Sequence, residues 1–284
     1  MTRFIAASAA IVVLSTSLLC GCSYYARTAE PDFVALGPEQ VLRRAADAAG
    51  DVDELQTVGT LLIQTLQGSF MTRVSALFAA PDSIRLDVSV TLGGLALQAV
   101  MFGPQFTIYL PMQSAVIDGV FLGSRIMEIQ GIRLDESVVR ELVLGPALAW
   151  DPAELAARVD QYDVGPEQIN LGIEREDGTR LLLCLERDFS YCRTVRLAPD
   201  GSILMEARFD GYRRIGSARL PQQVTLHYPD DGLDLILEIV RRDPDPDRHP
   251  DDFELRIPPR VQRIPPRGAP SCHAYPTWPG SSDR

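Results

Sequence analysis

The sequence predicts an α+β fold: one large antiparallel β-sheet with a modest amount of helix laid against one face. Three observations carry this. Apolar and polar residues alternate with period two through most of residues 55–112 and 169–239, the mark of half-buried strands. Asp-Gly pairs at 177–178, 200–201, 210–211 and 231–232 separate apolar runs and read as hairpin turns. Helical spacing is confined to a short segment before the first strand and an insert at 121–164. A sheet of about ten strands with one apolar face needs cover on that face. It therefore curls around its helices, leaving either a filled core or a cavity open to apolar ligand.

Taken in order, the chain starts with Arg3 and an apolar run from Phe4 to Leu19, broken only by small Ser and Thr residues, and then reads Leu19-Cys20-Gly21-Cys22. This is a secretory pattern. Its end resembles the lipobox of bacterial lipoproteins, in which the cysteine after the cut is diacylated and the new amino terminus acylated. The resemblance implies a signal peptide over 1–21, lipid on Cys22 and a membrane partner reached through that lipid. At about 0.8 kcal/mol per buried methylene, several acyl chains make release negligible. Ser23 rather than Asp follows, which implies an outer-membrane lipoprotein of the cell envelope, facing the periplasm. An ordinary secretory signal with a chance cysteine is the other reading. Residues 22–36 form a tether of little periodicity.

Pro38 to Ala49 reads as a helix, with Pro at its start, Val41, Leu42, Ala45 and Ala49 along one side, and Gly50 to stop it. Strands follow. Ile84, Leu86, Val88 and Val90 alternate with Ser83, Arg85, Asp87 and Ser89, and alternation resumes after Gly93-Gly94 with Leu95, Leu97, Ala99 and Met101, then Phe106, Ile108 and Leu110. The insert carries Val138, Val139, Leu142 and Val143 at helical spacing, then Leu155, Ala156 and Val159 behind an Asp151 cap and Pro152. Strands return from Ile169, and Leu233, Leu235, Leu237 and Ile239 form the last strong apolar face. Beyond Pro258 the Pro- and Arg-rich tail, 259–284, either wraps the surface or stays disordered.

Cys184 and Cys192 flank a turn with its apex at Asp188, which puts them opposite each other and close enough to bridge in an oxidising compartment. Two unpaired core thiols are the alternative, and Cys272 has no evident partner. The formal charge of −11 argues against nucleic acid and anionic membrane surfaces as partners. All 27 basic residues are arginine, to which no function is attached.

Two stretches carry a family resemblance. Ser83 to Tyr109 reads SIRLDVSVTLGGLALQAVMFGPQFTIY, and Ala218 to Ile257 carries LPQQVTLHY, LDLILEIVRR and FELRIPP. With the lipobox, tether, first helix and mid-chain helices, they resemble the LolA/LolB-like half-barrel proteins, among them the outer-membrane lipoprotein LolB. The resemblance implies a curved antiparallel sheet over 37–258, with helices covering its open concave side. It also implies an acylated lipoprotein or lipid as client and a LolA-like periplasmic carrier as a further partner. In LolB an exposed leucine at a strand–strand turn enters the membrane; the matching turn here holds Leu92, Gly93 and Gly94, with Thr91 where LolB usually has Pro. Leu92 could equally continue the Ile84–Val90 face into the core. A groove would be lined by Ile84, Leu86, Val88, Leu97, Met101, Phe106, Ile108, Met205, Phe209, Leu235 and Leu237, residues that would equally make an ordinary core. The carrier has an arginine beneath its lid that helps control opening; no arginine here is assigned that role.

Enzymatic motifs are missing from the sequence. His227, His249 and His273 sit in no HExxH pattern, and there is no Gly-x-Ser-x-Gly elbow or phosphate-binding Gly loop. Asp243, Asp245, Asp247, Asp251 and Glu254 have calcium-loop spacing, but Arg248 replaces the glycine that loop requires and Pro244 and Pro246 stiffen it, so a solvated acidic loop is expected. No cofactor or metal is expected. The sequence thus points to a non-catalytic lipoprotein that binds acyl chains in a groove and delivers its client to the outer membrane. The alternative is an envelope interaction protein of the same fold with a filled core.

Overall fold

The computed structural model describes residues 36–90, 94–120, 127–129, 132–134, 136–146 and 149–264. Cys22, Leu92, Gly93, Cys272 and His273 lie outside them. Helix α1 (Pro38–Ala49) leads into six strands: β1 (Glu54–Thr65), β2 (Gly68–Ala79), β3 (Ser83–Val90), β4 (Leu95–Phe102), β5 (Gln105–Leu110) and β6 (Ala115–Val120). The insert holds a small hairpin, β7 (Met127–Ile129) and β8 (Ile132–Leu134), then helices α2 (Glu136–Leu144) and α3 (Pro152–Ala156). Strands resume with β9 (Val159–Val164), β10 (Gln168–Glu174), β11 (Arg180–Glu186), β12 (Tyr191–Leu197) and β13 (Ile203–Asp210). A second small hairpin, β14 (Arg213–Ile215) and β15 (Ala218–Leu220), precedes β16 (Gln223–Tyr228), β17 (Leu233–Asp243) and β18 (Gln262–Arg263).

Fourteen strands form one open, curved sheet in the order β18-β6-β5-β4-β3-β2-β1-β17-β16-β13-β12-β11-β10-β9. Two meanders lie side by side in it, joined where β1 pairs with β17. The insert leaves from β6, beside one edge, and must return to β9 at the other. A connection between opposite sides of a sheet has to cross a face, and here it carries α2 over the apolar one. All pairs from β6 to β9 are antiparallel, so the hairpin turns alternate between the two ends of the strands. The end bearing the β1–β2 turn is called the upper end below.

Local chemistry explains the helices. In α1, Val41, Leu42, Ala45 and Ala49 are buried, and Gln40 reaches back to accept from the Gly37 N–H at 3.3 Å. Gly50 ends it at φ 75°, and a Cβ there would lie 2.5 Å from the Ser217 carbonyl oxygen, so glycine is required by both conformation and space. The predicted Asp151 cap is present, accepting from the Ala153 N–H at 2.8 Å. The helical expectation ran too far, however: Val159 begins strand β9, because residues 159–164 pair with β10 and the backbone prefers that ladder. The insert also contains the β7–β8 hairpin, which helical spacing did not suggest.

The C-terminal segment lies along the sheet as far as residue 264. Residues 244–253 cross the outer face of the first meander: Arg248 meets Glu54 at 3.2 Å, Arg85 donates to the Asp252 carbonyl at 2.6 Å, and Phe253 stacks on Phe102 with centroids 6.1 Å apart. The chain then adds β18, parallel to β6, inside what was expected to be tail from 259. Gln262 N–H donates to the Ser114 carbonyl and Ile264 N–H to that of Val116, covering part of an otherwise open edge.

Candidate functional site

The concave face of the first meander is a set of cross-strand rows. The lowest runs through Phe78, Ile84, Met101 and Phe106, the next through Ala76, Leu86, Ala99 and Ile108, and the third through Val74, Val88 and Leu97. On β3 and β4 burial falls from row to row, while on β2 Ala76, Val74 and Thr72 stay buried. Ile84, Met101, Phe106 and Ile108 are buried in one cluster with Leu55, Phe78 and the α2 residues Val139, Val143 and Leu144. Leu86, Val88 and Leu97 are only half-buried, and Val90 and Phe70 beyond them are exposed. The face is therefore filled below and half-open above.

The second meander is sealed. Met205, Phe209, Leu235 and Leu237 are each 2–3% exposed. Helix α1 lies across this half, fixed at three points. Tyr162 of β9 donates its hydroxyl to the Leu36 carbonyl at 2.7 Å, Arg44 sits 5.5 Å above the Phe189 ring, and Gly50 abuts Ser217. The eleven residues expected to line a groove thus divide: eight are buried core, and Leu86, Val88 and Leu97 form an accessible apolar strip.

Helix α2 is clamped by charge as well as by packing. Glu141, 0% exposed, pairs with Arg196 of β12 and accepts from the Thr194 hydroxyl at 3.1 Å. Arg196 also donates to Ser137 at 2.9 Å. Arg242 of β17 donates to the Val143 carbonyl in the last turn of α2 at 3.2 Å and to that of Pro221 at 2.7 Å. A cation at a helix C-terminus satisfies orphan carbonyls and opposes the negative end of the dipole. Burial pulls the Arg242 guanidinium down to about 10, which leaves it protonated at neutral pH. Burial, with the Glu141 charge as a second cause, raises the Tyr191 phenol above its ordinary value and keeps it neutral.

None of Glu141, Arg196 and Arg242 was singled out from the sequence. Glu141 falls among the apolar residues of α2, a place where a charge needs a buried partner, and that was the available signal. The arginines were hidden among 27.

Gly94, at the base of the turn matched to LolB, is exposed and accepts from the Val90 N–H at 2.8 Å. Cys184 and Cys192 are bridged with Cα atoms 5.6 Å apart. They are not directly opposite, as a simple turn at Asp188 implied: Cys184 pairs with Arg193 and Leu185 with Tyr191, so Cys192 is the extra residue of a bulge. His227 is exposed and meets Asp234 at 2.5 Å. A polar cleft of about 310 Å³ on the outer face is lined by Ser75, Arg85, Asp87, Asp247 and Asp252 among others, with Arg85 engaged by Asp87 at 2.9 Å.

No family model matches this sequence, and no curated protein does. Solved structures do resemble it. A DUF1329 family protein from Desulfovibrio piger superposes with a TM-score of 0.56 at 11% identity, over 77% of this chain and 98% of its own. A domain assigned to an outer membrane lipoprotein-sorting protein from Vibrio parahaemolyticus gives 0.52 at 10% identity, over 76% and 96%. A LolA superfamily protein from Nitrosomonas europaea gives 0.51 at 12% identity, over 74% and 94%. At such identities the likeness speaks for architecture alone, and it agrees with the rows, meanders and crossing helices described above: the chain has the LolA/LolB-like half-barrel fold.

Proposed function

We propose that this chain is a non-catalytic envelope lipoprotein, anchored in the outer membrane through lipid on Cys22. It binds the acyl chains of a lipoprotein or lipid and delivers that client to the membrane. The observation that carries the reading is the half-open apolar strip of Leu86, Val88 and Leu97, continuous with the buried cluster under α2. An acyl chain laid there exchanges water for apolar contact at about 0.8 kcal/mol per methylene. Transfer needs no bond broken and no cofactor, only that bilayer and groove offer comparable burial. The likeness to a lipoprotein-sorting domain supports the client class. A deeper site would require α2 to lift, which the Glu141–Arg196 pair and Arg242 oppose. A LolA-like carrier is the natural donor of such a client.

One observation favours a second reading. Eight of the expected lining residues are already buried, as in an interaction lipoprotein that has kept the fold and filled its core. Native mass spectrometry on the chain from Ser23 onward, exported behind a cleavable signal and purified without detergent, separates the two. Client binding predicts a bound mass that releases phospholipid or an acylated peptide on denaturation. A clean unbound mass that persists after incubation with a loaded carrier would overturn it in favour of the filled core.

A further inference from the structure

The two edges of the large sheet are finished differently. At one, the chain covers part of β6 with its own β18, and Arg263 of the added strand pairs with Asp118 of the strand it joins. At the other stands β9, and among the described residues no backbone group is hydrogen-bonded to its outer side. The Gly165 N–H donates to the Gln168 carbonyl at 2.8 Å. The alternation of an antiparallel ladder then turns the N–H and C=O of Val164 and Tyr162 away from β10. The open edge is about 20 Å long.

Its two faces carry different chemistry. Tyr162 and Val164 stand opposite Leu171 and Ile169, buried residues of the concave face, and are half-buried themselves. Asp163 and Gln161 stand on the outer face and are exposed. Arg180 engages Asp160 at 3.0 Å and Gln161 at 3.1 Å, whereas Asp163 has no partner among the described residues. Residues 151–177, which surround the edge in sequence, carry eight acidic residues against two arginines. These acids disfavour pairing of β9 with β9 of a second copy, because like charges on facing strands repel. They attract a basic strand.

We propose that β9 is a docking edge for an extended basic segment of a second protein, which adds to the sheet as a further strand. The segment sets apolar side chains beside Tyr162 and Val164, and an arginine or lysine beside Asp163. Main-chain hydrogen bonds to Tyr162 and Val164 supply affinity, and the alternation of apolar and basic side chains supplies selectivity. The opposite edge shows the same arrangement made from this chain alone: backbone bonds from β18 to β6, with an arginine on the acid of the edge strand. The edge is separate from the acyl-binding reading. It stands at the far end of the sheet from β2–β4, so a partner on β9 leaves the strip of Leu86, Val88 and Leu97 free.

The test adds a fluorescent peptide of alternating arginine and valine to the full lipidated chain in phosphatidylcholine nanodiscs, followed by anisotropy and hydrogen exchange. The expected result is binding that slows exchange of the Tyr162 and Val164 amides. The same peptide N-methylated at its valines keeps its charge but loses the bonding N–H groups, and should bind about tenfold more weakly. Asp163→Lys, at an exposed position where the fold is not at issue, should weaken binding about threefold or more. A peptide of alternating glutamate and valine should not bind. No binding of the basic peptide, binding that survives N-methylation or Asp163→Lys, or binding that leaves residues 159–164 unprotected would overturn the proposal. So would amides already protected in the free chain, which would give the edge to the chain's own residues or, where protection grows with concentration, to a second copy.

Discussion

In strands β1–β6 the concave side chains grade from buried Ile84 and Met101 to half-open Val88 and Leu97, whereas in β10–β17 Met205, Phe209, Leu235 and Leu237 are sealed throughout. Both meanders alternate apolar and polar residues in the same way. They differ in what lies on them: α1 lies against the second half and α2 is tied to it through Arg196 and Arg242, while on the first half α2 covers only the lower rows. Their upper turns differ in the same sense, apolar on the open half and acidic on the sealed one. A repeated strand pattern thus makes core in one half and accessible surface in the other, and the helices decide which.

The comparison can be broken hardest at the clamp. Arg196→Ala leaves Glu141 buried and uncompensated, which should cost about 3–5 kcal/mol in urea unfolding. Replacing both by apolar residues, Glu141→Leu with Arg196→Met, should recover most of that loss. Next, truncation should separate the halves: Phe209→Ala should cost about 3–5 kcal/mol and half-open Leu97→Ala only about 1 kcal/mol. Equal costs in denaturant titrations would mean the first half is as filled as the second. Reducing the Cys184–Cys192 bridge should lower stability by about 2–3 kcal/mol, since the loop it closes is short. Only the second meander should loosen, as read by hydrogen exchange in β11 and β12.

The smallest effect is a pH dependence. Burial pushes the Glu206 carboxyl up, but hydrogen bonds from Arg193 at 2.7 Å and Arg208 at 2.7 Å outweigh it and hold the group below its ordinary value. A carboxyl depressed in the folded state adds stability above its unfolded pKa, near 4.5, and loses it as pH falls through the folded pKa. The drop in Tm between pH 7 and pH 3 should therefore be smaller in Glu206→Gln than in the parent chain.

Much of the fold was legible because strand alternation and Asp-Gly turns are local signals. The first helix was bounded to the residue by Pro38 and Gly50. Strand β9 was not, because VDQYDV carries two Asp and few apolar residues, and it is a strand only by virtue of pairing with β10. The bulge at Cys192 was missed for a related reason: register depends on how a turn is closed, here with Phe189 at φ 64°, rather than on the count of residues between cysteines. The site was half legible. Alternation named the apolar face but could not tell Leu97 from Leu237, since coverage comes from helices distant in sequence.

The central claim is that the first meander's half-open strip holds an acyl chain while the second meander is closed to it. Irradiating the mature chain with a photoactivatable palmitoyl lipopeptide and mapping the adducts tests this directly. The account predicts adducts on β2, β3 and β4, around Leu86, Val88 and Leu97. Adducts on Met205, Leu235 or Leu237, or none on the first meander, would contradict it.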